Sequence, residues 1–163
     1  ILKCSPVIEA LGSIDELNSF LGLCKSKSLN INLQINQENL SLPDLVQEIQ
    51  ENLFIIQAEL AGAEKKINID KIKRLEYLTD GIEKNLPPIN SFFISGGTEL
   101  STLFDIARTL ARKTERRIIS IWESKKIKSE TITYLNRLSS LLYAIVRLIN
   151  HQSGITEKKP SYN

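Results

Sequence analysis

Two arginines one helical turn apart, Arg108 and Arg112, lie in a segment that reads as helix from about Thr98 to Glu123. With Ser101, Asp105 and Glu115 they form a polar stripe at four-and-three spacing, which puts all five on one face of a helix. Both guanidinium groups can converge on one anion. Arginine suits that task because its planar fork bonds phosphate oxygens bidentately and never loses its charge. Just upstream, Gly96-Gly97 turns into the helix N-terminus, where free N–H groups and the dipole also favour phosphate. A plainer reading stands beside this one: arginine and glutamate at helical spacing often form a solvated face with weak pairs. A second polar stripe, Asn136, Ser140, Tyr143 and Arg147, runs along a segment from about Thr131 to Asn150. Asn136 is an indifferent helix former and either faces solvent or bonds a base or ribose.

Composition narrows the chemistry. His151 is the only histidine, so a Ser-His-Asp or Cys-His centre would have to be built on it, and a di-iron bundle site cannot be supplied. Cys4 and Cys24 form no C-x-x-C pair, and with His151 they fit no zinc spacing. The expectation is therefore no protein-bound metal. Two cysteines in 163 residues suit a reducing, cytoplasmic setting. A net charge of +2 gives no case for nucleic acid, and no apolar run approaches the ~20 residues that span a bilayer. The chain contains no methionine, from which the true N-terminus is expected to lie upstream of Ile1.

The elements that must position these residues are helices. At 163 residues, 42% hydrophobic and 25% charged, the chain can bury the core of one domain. Ser13-x-x-Glu16 reads as a capping box that opens segment one, with Gly12 as the turn before it. Asp15 and Glu16 then fall in a first turn that favours acids, and Ile14, Leu17, Leu21 and Cys24 share a face. Residues 25–41, rich in Ser, Asn, Gln and Lys, read as a mobile loop. Segment two starts near Pro43 and carries Leu45, Ile49, Leu53, Ile56, Leu60, Ala63 and Ile67. Segment three carries Ile72, Leu75, Leu78, Ile82 and Leu86 and stops at Pro87-Pro88. INSFFISGG, residues 89–97, reads as a structured loop, and its Phe92-Phe93 pair as a core plug by default or else a loop-borne wedge. The core stripe of segment four is Leu103, Ala107, Leu110, Thr114, Ile118 and Ile121; that of segment five is Leu135, Leu138, Leu142, Ile145 and Ile149. Lys125, Lys126 and Lys128 link these two, and the tail GITEKKPSYN is expected to fray. No repeat and no strand alternation stands out. The fold expected is an all-α bundle of five helices.

Three blocks, in order, resemble a known family. EALGSIDELNSFLG is similar to the EA-x-G-T-V-D-E-L-N-S-x-x-G block of the PduO-type ATP:cob(I)alamin adenosyltransferases. FFISGGTELSTLFDIARTLARKTER is similar to their F-x-L-P-G-G…A-R-T-x-x-R-R-A-E-R block, and YLNRLSSLLYAIVR to their Y-L-N-R-L-S-D-x-L-F block. The resemblance implies a five-helix homotrimer with ATP in the cleft between adjacent subunits. Reduced cobalamin, Co(I), attacks the 5′ carbon of ATP, adenosylcobalamin forms and triphosphate leaves, with Mg2+ accompanying the nucleotide. A reductase and an adenosylcobalamin-dependent enzyme would be partners.

By resemblance, Arg112 binds the triphosphate, Glu115 belongs to the same site, Asn136 contacts the nucleotide, and Lys3, six residues before Glu9, stands at the ATP site. Arg108 would pair across the subunit interface with Asp15, and Phe92 would occupy the lower face of the corrin. The logic of that wedge is physical: removing the axial nitrogen and drying the site makes Co(II) easier to reduce. Co(I) is already a strong nucleophile, so positioning and charge stabilisation suffice. The sequence departs from the family at three places. The family's T-K-T-G-D-x-G-x-T stretch has no counterpart, Ser95 stands where Pro is usual, and Asp105 where His is common. A non-catalytic bundle that binds ATP or cobalamin as sensor or carrier is the alternative.

Overall fold

The computed structural model describes residues 2–163. The first helix, α1, spans Pro6–Lys27 and starts earlier than the Ser13 capping box implies. Ser5 caps it by accepting from the Ile8 N–H, and Pro6 sits in the first turn with its φ already helical. Ser13 is instead buried in mid-helix, where its hydroxyl donates to the Glu9 carbonyl at 2.9 Å. Asp15 and Glu16 therefore stand on the exposed side of mid-helix turns and not at a positive dipole end.

Residues 25–41 are not the expected mobile loop. Helix α1 continues to Lys27, and Asn32–Ile35 (β1) pairs antiparallel with Glu38–Ser41 (β2), Leu33 opposite Leu40. Leu33 and Ile35 are buried. Asn36 and Gln37 turn the hairpin with φ of 53° and 65°, the pair of positive values that a two-residue turn matched to strand twist requires. Asn36 then donates to the Tyr77 carbonyl at 3.2 Å, and its amide lies against Gly81, where any Cβ would collide with it. With only Leu33, Ile35 and the partly buried Leu40 turned inward, the hairpin gives a weak alternation signal.

Ser41 caps α2 (Leu42–Leu60), and Asn68 caps α3 (Ile69–Glu83). Ala63 is exposed past the end of α2, whereas Ile67, also outside it, is buried. Thr98 and Ser101 form a reciprocal capping box for α4 (Glu99–Ile119). A single turn, α5 (Trp122–Lys125), interrupts what the sequence suggested as one helix to Glu123. There the Trp122 indole donates to the Ile127 carbonyl at 2.7 Å, and Lys126 takes a left-handed φ of 51°. Glu59 of α2 receives both the Lys128 N–H and the Thr131 hydroxyl at the start of α6 (Ser129–Gln152). The described residues thus form a mostly helical fold of six helices and one small hairpin, where an all-α count of five was expected.

Helix α4 packs on α6 and α1, α6 on α3, and α1 on α2, around one continuous apolar core. Because α4 is clamped from two sides, its buried arc is shifted from the expected stripe. Ser101, Phe104, Ala107, Ala111, Thr114 and Ile118 are buried, while Leu103 and Leu110 are only partly so. The expected stripe of α6 is buried throughout. Residues 155–158 are tied back to the fold where fraying was expected: Ile155 N–H bonds the Asn150 carbonyl, and the Lys158 carbonyl accepts from Ile94 N–H at 2.7 Å. No described helix is long and apolar enough to cross a membrane.

Candidate functional site

A cavity of about 640 Å³ opens where the N-terminal half of α4 meets the second half of α6. The loop Ile89–Gly97 forms one wall, Asp105, Arg108 and Arg112 another, and Ser139, Tyr143 and Asn150 a third. Capping by Thr98 aims α4 at this loop, and the four-and-three spacing places its three charged residues along the same rim.

The two arginines differ. The Arg108 Nε donates to Asp105 Oδ1 at 2.8 Å, and its guanidinium lies 5.5 Å from the centre of the Tyr143 ring. Asp105 Oδ2 in turn accepts from the Ser95 hydroxyl at 2.7 Å, so the two positions that depart from the family pattern are bonded to each other. Arg112 is exposed, lines the same cavity and makes no ion pair among the described residues. The sequence suggested that both would converge on one anion; both reach the cavity, but Arg108 is already charge-paired within the chain.

Phe92 is 79% exposed and lines the cavity, which rules out the core plug. Its neighbour Phe93 is partly buried under Arg147, whose guanidinium lies 5.7 Å from the ring centre. Gly96 has φ of 107°, and a Cβ at Gly97 would run into Asn150, so the loop can lie this close to α6 only with glycine there.

Glu115 and Asn136 face each other across the α4–α6 groove, the Asn136 amide donating to Glu115 Oε1 at 3.2 Å. Arg137 donates to Asn136 Oδ1 at 3.0 Å, so both ends of this amide are held. Lys3 is exposed in the turn before α1, and Asp15 is exposed on α1 with no ion pair among the described residues. Neither lines the cavity. Thus Phe92, Arg108 and Arg112 come together, Glu115 and Asn136 form a separate pair, and Lys3 and Asp15 stand apart.

Acid–base machinery is scant. Burial first, then the Glu157 carboxylate, raises the Tyr143 phenol above its ordinary value, so it stays a neutral donor. Burial pushes the Cys24 thiol up to about 12, which removes it as a nucleophile. No group of three metal-ligating side chains occurs among the described residues. Asn150 Oδ1 and Ser91 Oγ are buried at the cavity wall without hydrogen-bond partners among the described residues. Neither drew attention in the sequence, nor did Glu157, because a polar residue at the end of a helix or in a tail has many ordinary explanations.

Residues 1–149 match the sequence model of the family described as Cobalamin adenosyltransferase. The chain belongs to the cobalamin adenosyltransferase family. Within the cobalamin adenosyltransferases, it is 34% identical over 157 residues to the corrinoid adenosyltransferase of Bacillus subtilis, covering 94% of this chain and 79% of that protein. It is 33% identical over 168 residues to the corrinoid adenosyltransferase PduO of Citrobacter freundii, covering 97% of this chain but 48% of that longer protein. Among solved structures, a variant PduO-type ATP:corrinoid adenosyltransferase from Lactobacillus reuteri, complexed with cobalamin and ATP, superposes with a TM-score of 0.85 at 27% identity, covering 99% of this chain and 89% of that one. Another variant of that enzyme, complexed with ATP, superposes with a TM-score of 0.84 at 26% identity, covering 98% of this chain and 90% of that one.

Proposed function

We propose that this cobalamin adenosyltransferase transfers the 5′-deoxyadenosyl group of ATP to cob(I)alamin, giving adenosylcobalamin and triphosphate. The observation that carries the reading is one cavity bearing both Arg112, which has no ion pair among the described residues, and an exposed aromatic, Phe92, in a chain of this family. The relatives named as corrinoid adenosyltransferases, and the solved relative with both substrates bound, support it.

The Co(I) electron pair attacks C5′, a Co–C bond forms, and the C5′–O bond breaks with its pair going to triphosphate. No proton need move, which suits a site with a neutral tyrosine and no histidine. Arg112 stabilises charge on the departing triphosphate, with Glu115, Asn136 and Lys3 completing the nucleotide site. Phe92 covers the lower face of the corrin, excluding an axial donor and water. The described residues offer no three-ligand metal site, so magnesium would come with the nucleotide phosphates, and no step is routed through it.

In this reading the 163 residues act as one domain. The five long helices assemble as a homotrimer that completes the ATP cleft between subunits. The hydrogen bond to Asp105 uses Arg108 Nε and leaves its terminal nitrogens for Asp15 of the partner subunit. A reductase would supply the electron and an adenosylcobalamin-dependent enzyme would take the product, in the cytoplasm.

The test is adenosyl transfer by the complete gene product with ATP, magnesium and chemically reduced cobalamin, followed by absorbance, with Arg112→Ala alongside. Product from wild type and little from the variant is the expected result. ATP or cobalamin binding with no product from a folded trimer would leave a sensor or carrier instead.

A further inference from the structure

The aromatic at position 92 makes a poor anchor for itself. It is 79% exposed, so its place in the cavity must be set by what holds its neighbours. One side chain holds that loop at two points. Arg147 of α6 donates to the Pro87 carbonyl at 2.9 Å, before the loop, and lies over the Phe93 ring, within it. It also pairs with Glu157 at 3.3 Å, in the segment that follows α6.

An arginine here is not explained by packing. Arg147 is 4% exposed in a stretch of α6 where Ala144, Val146, Leu148 and Ile149 are also buried. A buried ion pair is seldom worth more to stability than an apolar side chain of similar size, whereas breaking one is costly. The segment that delivers the counter-charge, residues 154–158, is otherwise exposed; only Glu157 is turned inward. The same segment bonds the loop directly, through Ile94 N–H and the Lys158 carbonyl. Loop and segment elsewhere border an open space of about 520 Å³, so these two contacts fix their relative position.

We propose that Arg147, held in place by Glu157, is a positioning residue that fixes Phe93 and Pro87 and so sets where Phe92 stands in the cavity. The effect on the reaction rests on the adenosyl-transfer reading; the effect on the loop does not. Arg147 need not touch either substrate. Its charge is used to tie α6, the Phe92 loop and the 154–158 segment at one point.

The test uses Glu157→Gln, which keeps the size of the side chain and removes its charge, and Arg147→Lys, which keeps the charge and loses the fork. In the full chain without ligands, hydrogen exchange over residues 89–97 should quicken severalfold in both variants, with α1 and α3 unchanged. With ATP, magnesium and Co(II) cobalamin, the four-coordinate Co(II) signal in electron paramagnetic resonance should fall severalfold, while the KM for ATP stays within twofold. In a Phe92→Ala background Glu157→Gln should cost nothing further, because both changes act on the same ring. Loop amides that exchange as in wild type overturn the proposal, as does a loss that adds to that of Phe92→Ala. An inert wild type whose loop loosens in Glu157→Gln would sink adenosyl transfer alone. An active wild type indifferent to Glu157→Gln would sink the positioning role alone.

Discussion

Arg108 and Arg112 stand one turn apart on one wall and differ in whether a carboxylate is already beside them. Asp105 holds Arg108; nothing among the described residues pairs with Arg112. An exposed, unpaired arginine adds little to folding, so Arg112→Ala should leave stability within about 0.5 kcal/mol of wild type. A charge-assisted contact to phosphate is worth about 1.5–3 kcal/mol, so the same change should lower kcat/KM for ATP by roughly 10- to 150-fold. Melting curves beside an ATP titration check both halves, and a fall in stability with unchanged ATP dependence would make Arg112 structural. Phe92 invites the same comparison. Phe92→Ala should also stay within about 0.5 kcal/mol, whereas Phe104→Ala, at a fully buried position, should cost about 3–5 kcal/mol. Denaturant unfolding of the pair decides it, and a large loss at position 92 would return that ring to the core. The same Phe92→Ala protein should lose Co(II) reduction while it keeps ATP binding, which equal losses in both would contradict.

Among the elements, the hairpin depends most on local backbone geometry. Gln37 is exposed with φ of 65°, a left-handed conformation that costs a residue with a Cβ about 1–2 kcal/mol and glycine nothing. Gln37→Gly should therefore stabilise the protein, by about 0.5–1 kcal/mol once the extra unfolded-state entropy of glycine is set against it. A loss of stability in urea unfolding would mean that the turn is not of this type. This hairpin is also where the sequence was hardest to read. The long helices announce themselves through three or more turns of apolar spacing: α6 lies where that spacing puts it, and α2 and α3 do so except at their C-terminal ends, where Ala63 and Ile67 fall past Leu60 and Leu86 falls past Glu83. Two four-residue strands turn only Leu33, Ile35 and the partly buried Leu40 inward, too few to outweigh the surrounding Asn, Gln and Ser. The start of α1 is ambiguous in the sequence because Ser13 and Glu16 have capping spacing while Ser5-Pro6 competes for the same role. In the site, the shared wall of Arg108 and Arg112 was legible from their helical spacing, whereas Phe92 was not, because an aromatic pair by residue type alone favours the core and only the family resemblance put it elsewhere. Glu157 was not, because its role depends on a return of the chain that no local pattern encodes.

Across the whole molecule, the positions carried over by resemblance divide by where they sit. Phe92, Arg108 and Arg112 line one cavity, whereas Lys3 and Asp15 are exposed on or near α1 and do not line it. In the trimer proposed above, one protomer would offer the α4–α6 wall and its neighbour the first half of α1 with the turn before it. The charge pattern agrees, since α1 already spends Glu9 and Glu16 on Arg117 and Lys113 of α4 within the chain, yet leaves Asp15 unpaired among the described residues. A closed ring of three has three equivalent interfaces, and a residue at one is lost from all. An ion pair worth up to about 1 kcal/mol each would then cost the trimer about 3 kcal/mol, roughly 150-fold in its association constant. Asp15→Ala should therefore shift sedimentation toward smaller species at low micromolar protein and recover at high concentration, with the fold of each subunit unchanged by circular dichroism. Adenosyl transfer should fall in step with the trimer fraction. A variant that sediments as wild type at every concentration and retains full activity would leave Asp15 an ordinary surface acid and remove the Arg108 pairing with it.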